Sequence, residues 1–256
     1  MATLYITDSM LTDGIVNGYN ADSISLDRIT IPIQLGYTPG NEDAYIAPAD
    51  AEDPQLTGDT FTAFHKLVLS HGDDTFGLVE GGIAPEVYGG DGNDTLSSSI
   101  FGFGTVLDGG SGNDRLYGEA TERDHLLGRE GNDTLFVSAG DEATGGTGSD
   151  RFVITDMQGA SDFICDLKRG DHDVVDLWAP LHVAGYEYAS FTQAQAAGTL
   201  GVSYLHGYTY LSFDTDGDHV PDHEFAHIKG VVTPDQLDQT FPVSYENSYY
   251  HLAGDV

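Results

Sequence analysis

Cysteine and positive charge are what this sequence most lacks. Cys165 is the only cysteine among 256 residues, so no disulfide can form within the chain. Lysine and arginine together number 9, against 42 aspartates and glutamates, for a formal charge of -33. Such a surface repels phosphate and anionic lipid, which argues against nucleic acid and against membrane insertion. It attracts cations instead. No apolar run is long enough to span a bilayer, and MATLYITDSMLTDG (1–14) has no basic n-region. Neither a Sec-type signal nor a membrane anchor is therefore expected there. A G-x-S-x-G nucleophile elbow is also missing, and Cys165 sits in an apolar strand context that suits packing better than nucleophilic chemistry.

Glycine, by contrast, is abundant at 33 residues, more than a helical protein tolerates. Apolar residues make up 39% and aromatics 11%, enough for a core, and the length suits one large all-β domain or a repeat module with caps. The glycines are not scattered. HGDDTF (71–76), GDGNDTL (90–96), GSGNDRL (110–116), REGNDTL (129–135) and GTGSDRF (146–152) align on Asp74, Asp94, Asp114, Asp133 and Asp150, at steps of 20, 20, 19 and 17 residues. Each aspartate is followed by a polar residue and then by Phe76, Leu96, Leu116, Leu135 or Phe152. The pattern is a nonapeptide, G-G-x-G-x-D-x-U-x with U large and apolar. Its glycines permit φ > 0, so the turn folds back with carbonyls inward, and the short strand after it sends U to the core. Two nonapeptides make one rung of about 18 residues. Rungs stack at roughly 4.8 Å, which places like turns in a column where a hard cation fits between carboxylates and carbonyl oxygens.

The alternate half-rungs, EGGIAPE (80–86), IFGFGT (100–105), GEATERD (118–124) and SAGDEA (138–143), have mostly lost this pattern, and only Asp124 keeps the aspartate. A calcium column along one edge is therefore expected, with about three or four ions and irregular loops closing the other edge. The predicted ligand set is Asp74, Gly90, Gly92, Asp94, Gly110, Gly112, Asp114, Gly131, Asp133, Gly146, Gly148, Asp150 and Asp173.

These turns resemble the RTX family, whose members leave the cell through type I secretion machinery by an uncleaved C-terminal signal. SDFICDLKRGDHDVVDL (161–177) is similar to the closing segment of serralysin-type C-terminal domains: Ile164, Asp166, Asp173, Val175, Asp176 and Leu177 fall on pattern, and Leu167 replaces a phenylalanine. One residue is inserted near Asp171. Residues 191–231 resemble that family's last β-hairpins. The resemblance implies an all-β, right-handed parallel β-roll, calcium ligation, an extracellular destination and folding triggered by calcium. It covers about 70–256, as a calcium-binding roll (69–157) and a serralysin-like cap and secretion region (158–256), whereas residues 1–68 match no known pattern and are expected to form an N-terminal β-rich cap of unknown role that shields the first rung. Within the cap, SISLDRITIPIQL (23–35) predicts strands and TPGNEDAYIAPADAEDP (38–54) a polar loop.

Residues 223–227 read HEFAH, the zinc-protease pentad. A zincin needs these letters in a helix, and Pro221 and Gly230 leave little room for one. The extended motif would put a third histidine at Thr233, and no second pentad lies upstream. A strand is expected, with His223, Phe225 and His227 on one face and Glu224, Ala226 and Ile228 on the other. Adventitious zinc or nickel binding by His219, His223 and His227 remains a reading of the sequence. The preceding Asp214-Thr-Asp216-Gly-Asp218 turn with Asp222 resembles half an EF-hand loop, but its glycine comes early and Phe225 stands where the bidentate glutamate belongs. A calcium site and a solvated turn are both open there. Two further functions stay open at this point: a calcium-dependent enzyme acting on an extracellular polysaccharide, and an adhesin or surface-layer component.

Overall fold

Short strands separated by glycine turns at a near-constant period pair best with their own repeats, because each x-U-x strand then meets an identical partner in register. The computed structural model follows this pairing. It describes residues 3–7, 23–28, 33–37, 44–48, 66–69, 71–77, 86–98, 104–118, 123–156, 159–177 and 191–237. The half-turn residues 80–85, 100–103 and 119–122 lie outside them, as does most of 38–54.

Between residues 66 and 176 the strands alternate between two sheets. One holds β1 (Thr3–Thr7), β2 (Ser23–Arg28), β5 (Lys66–Val68), β7 (Glu86–Asp91), β9 (Val106–Ser111), β11 (His125–Glu130), β13 (Glu142–Thr147) and β15 (Asp162–Ile164), neighbours in that order and all parallel. The other holds β3 (Ile33–Tyr37), β6 (Thr75–Gly77), β8 (Thr95–Ser97), β10 (Arg115–Tyr117), β12 (Thr134–Val137), β14 (Arg151–Ile154) and β16 (Val174–Asp176), also parallel. The result is a parallel β-roll. Strand β4 (Ala44–Pro48) pairs antiparallel with β3, so the polar loop predicted over 38–54 contains a strand. Its AYIAP segment offers short apolar alternation and an open edge to pair with.

Two apolar columns fill the roll. Leu67, Val87, Leu107, Leu126, Ala143 and Ile164 stand in register along the first sheet. Phe76, Leu96, Leu116, Leu135, Phe152 and Val175 do so along the second. All are buried, and each large side chain contributes about 1.5–3 kcal/mol.

At the C-terminal end the parallel order stops. Strand β19 (His223–Lys229) pairs parallel with β15, and β18 (Tyr208–Phe213) and β17 (Leu200–Leu205) follow it antiparallel to the sheet edge. A short helix, α1 (Phe191–Ala196), precedes them where hairpins alone were expected. It buries Phe191 and Ala194, one turn apart, and ends at Gly198 with φ 78°. A second, α2 (Pro234–Leu237), packs against β16.

Candidate metal centre

The glycine turns lie at one edge of the roll, between each first-sheet strand and the second-sheet strand that follows. They are stacked so closely that a side chain would not fit. A Cβ on Gly112 would collide with the carbonyl oxygen of Gly92, and one on Gly131 with that of Gly112; both glycines have φ near +135°, at 134° and 136°. Gly148 meets Gly131 in the same way, and Gly110 meets Gly90. Backbone carbonyls thus line the column from turn to turn. Arg129 breaks the glycine pattern: it occupies the position of Gly110 and Gly146 with φ 83°. Its guanidinium reaches back to the buried Asp108, with Nε 3.1 Å from Oδ1 and Nη2 2.7 Å from Oδ2.

The predicted aspartates form a ladder. One oxygen of each carboxylate accepts the amide of the aspartate one rung earlier: Asp74 N–H to Asp94 at 2.8 Å, Asp94 to Asp114 at 2.8 Å, Asp114 to Asp133 at 2.8 Å, Asp133 to Asp150 at 3.0 Å and Asp150 to Asp173 at 3.0 Å. The second oxygen is the informative one. In Asp94, Asp114, Asp133 and Asp150 it is buried with no hydrogen-bond partner, facing the place where a Cβ on Gly89, Gly109, Gly128 or Gly145 would sit. Leaving a carboxylate oxygen so is costly unless a cation or proton meets it. Burial accordingly raises the Asp94 carboxyl to about 8, Asp133 to about 7, and Asp114 and Asp150 to about 6, with neighbouring carboxylates adding to the effect and the amide donors opposing it.

A second ladder runs beside it at the surface, where Asp73, Asn93, Asn113 and Asn132 accept the amides of Asn93, Asn113, Asn132 and Ser149 at 2.7–2.8 Å. The sequence signal for it was the N in GND, which the turn pattern treats as variable.

The opposite edge carries a third ladder that the sequence reading missed. Thr105 donates to Asp124 at 2.7 Å, Asp124 to Asp141 at 2.7 Å, and Asp141 to Asp162 at 3.2 Å. Asp141 lies 17 residues after Asp124, the same step as from Asp133 to Asp150, and that spacing could have revealed it. These carboxylates differ in their second oxygens. Asp124 accepts from Ser98 Oγ at 2.7 Å and Asp141 from the Ser138 amide at 2.9 Å. Among the described residues of this edge, only Asp162 has a buried oxygen with no partner.

The RTX calcium-binding nonapeptide repeat matches the chain in four copies, over 86–99, 102–122, 108–141 and 121–152. The chain carries RTX repeats. No curated protein matches it. The four copies cover Asp94, Asp114, Asp133 and Asp150, and the donor set of the RTX column, carboxylates and carbonyls without nitrogen or sulfur, is the hard-oxygen set that calcium takes. The residues present fit the ion.

Outside the RTX roll, the zinc-protease letters form strand β19 rather than a helix. The expected pairing of histidines on one face is overturned. A β-bulge opposite Leu211 and Ser212 turns both Phe225 and Ala226 into the core, so His223 and His227 fall on opposite faces. His227 packs edge-on against Phe163 and Tyr210, with Nε2 3.4 Å from Glu224, whereas His223 Nε2 is buried without a partner. The Asp214, Asp216 and Asp218 carboxylates bring one oxygen each within 4.8 Å of one another. Both Asp214 oxygens are already taken, by the amides of Gly217 at 2.8 Å and His219 at 2.9 Å. Burial acts to raise the Asp214 carboxyl, and these donors outweigh it and hold it below its usual range. Asp222 accepts from Thr215 through both the amide and the hydroxyl.

Proposed function

We propose that this chain is a secreted calcium-binding protein whose roll folds on meeting extracellular calcium after type I export. The observation that carries the reading is the set of four buried, unpartnered carboxylate oxygens on Asp94, Asp114, Asp133 and Asp150, stacked on one edge. Calcium would be held there by these carboxylates and the carbonyls of the stacked glycine turns, three or four ions in all. Bound, it supplies the positive charge that lets aspartates stack rung upon rung.

Without calcium, as in cytosol, neighbouring carboxylates repel and glycine-rich rungs gain too little from their small core to order the chain. An unfolded chain suits passage through a channel. At the ~10⁻⁴–10⁻³ M affinities of extracellular modules, external calcium then contributes directly to folding. The serralysin-like region from 158 onward supports the export route, and among the described residues no helix is long and apolar enough to cross a membrane. Circular dichroism of the full chain tests the reading: calcium should convert coil to β-structure at pH 8 and EGTA should reverse it. A chain equally folded in EGTA at that pH would contradict it.

A further inference from the structure

The last rung of the column is built differently from the four before it. Asp173 Oδ1 accepts the Asp150 amide at 3.0 Å, as the ladder requires, but its Oδ2 is not left open: the Lys168 amide donates to it at 2.7 Å. The Lys168 side chain then turns back to the rung above. Its ammonium donates to the Gly146 carbonyl oxygen, and lies 3.4 Å from Asp166 Oδ2 and 3.8 Å from Asp171 Oδ2. Gly146 O is the counterpart of Gly90 O and Arg129 O, the carbonyls that face the next turn in earlier rungs. Asp166 in turn accepts the amides of Gly145 at 2.8 Å and Gly146 at 3.0 Å. One residue thus gives an amide to the carboxylate below and a cation to the carbonyl above.

We propose that Lys168 is a tethered cation that closes the final gap of the column in place of calcium. The inference rests on the calcium reading and removes Asp173 from the ligand set. An ammonium presents three donors and one positive charge to oxygen atoms, and it meets there the same carbonyl and carboxylate donors that hold a hard cation elsewhere. Being covalently attached, it is present whatever the calcium concentration. The junction between the roll and its C-terminal cap is then held without an ion.

Native mass spectrometry of the full chain in saturating calcium tests this on the wild type, Lys168→Gln and Lys168→Arg. The glutamine variant should bind one calcium more than the wild type, because the vacated gap now takes an ion. The arginine variant, which keeps the charge, should bind the wild-type number. A folded glutamine variant with the wild-type count would overturn the proposal. So would a glutamine variant that fails to fold at any calcium concentration while Lys168→Arg folds, since calcium would then not replace the ammonium. A wild type that binds no calcium strikes the underlying reading instead, and that outcome is read from a separate sample.

Discussion

A buried carboxylate oxygen with no donor is tolerable only with a counter-charge or a proton, and Asp94, Asp114, Asp133 and Asp150 each face that choice. In the metal-free chain the proton is the alternative. Ordinary aspartates titrate near 3.9, whereas burial raises Asp94 to about 8, Asp133 to about 7, and Asp114 and Asp150 to about 6. The folded state therefore holds protons that the unfolded chain has released. Stability from this source is fully present below about pH 4 and is lost as pH rises through 6 to 8. Folding in EGTA, followed by circular dichroism, should accordingly be favoured at pH 5 over pH 8, and the calcium midpoint should rise on acidification. Asp114→Asn separates the two counter-charges. It should raise the calcium midpoint of folding about tenfold, roughly 1.4 kcal/mol, while leaving the metal-free chain better folded at pH 8 than the wild type. A variant weaker in both states would indicate a packing role alone.

Arg129 shows a different compromise at the same scale. Its positive φ costs about 1–2 kcal/mol in a non-glycine residue, yet its guanidinium neutralises the buried Asp108. Restoring glycine relieves the backbone and strands a buried charge, a loss of about 3–5 kcal/mol for a fully buried pair and less for this half-exposed arginine. Urea unfolding in saturating calcium should show Arg129→Gly less stable by about 1–3 kcal/mol, with Asp108→Ala recovering much of it. Nothing in the nonapeptide pattern reveals this arginine, because the pattern records only that a glycine is missing.

Among the elements, what could be read in advance was whatever repeats. The period near twenty residues, the Phe or Leu after each aspartate and the φ > 0 turns are local chemistry, and Phe76, Leu96, Leu116, Leu135 and Phe152 stand in the core as their spacing requires. The third ladder escaped because Asp141 and Asp162 meet their partners without flanking glycine doublets; only the register of the first sheet brings them together. The bulge in β19 escaped for a similar reason, being set by how β18 must meet a strand already paired with β15. Its consequence is testable. His227 closes the contact between Phe163 and Tyr210, so His227→Ala should weaken the C-terminal hairpin by about 1 kcal/mol, read by hydrogen exchange in β18, and should leave zinc uptake unchanged. Loss of zinc binding in that variant would restore the metal reading of the pentad.

For the whole molecule, a charge of -33 has to be met somewhere, and bulk salt cannot meet it inside the column. The screening length at physiological ionic strength is about 8 Å, longer than the roughly 4.8 Å between rungs. Sodium should therefore fail to fold the chain at concentrations where calcium succeeds. Magnesium should fail as well, since it sheds water reluctantly and demands an octahedral cage that stacked turns do not offer. The most direct measurement is anomalous diffraction from crystals grown in calcium. Ions are predicted against the open oxygens of Asp94, Asp114, Asp133 and Asp150, with none at Asp124 or Asp141, whose oxygens already have donors. Calcium in equal numbers on both edges, or none at those four oxygens, would contradict the account.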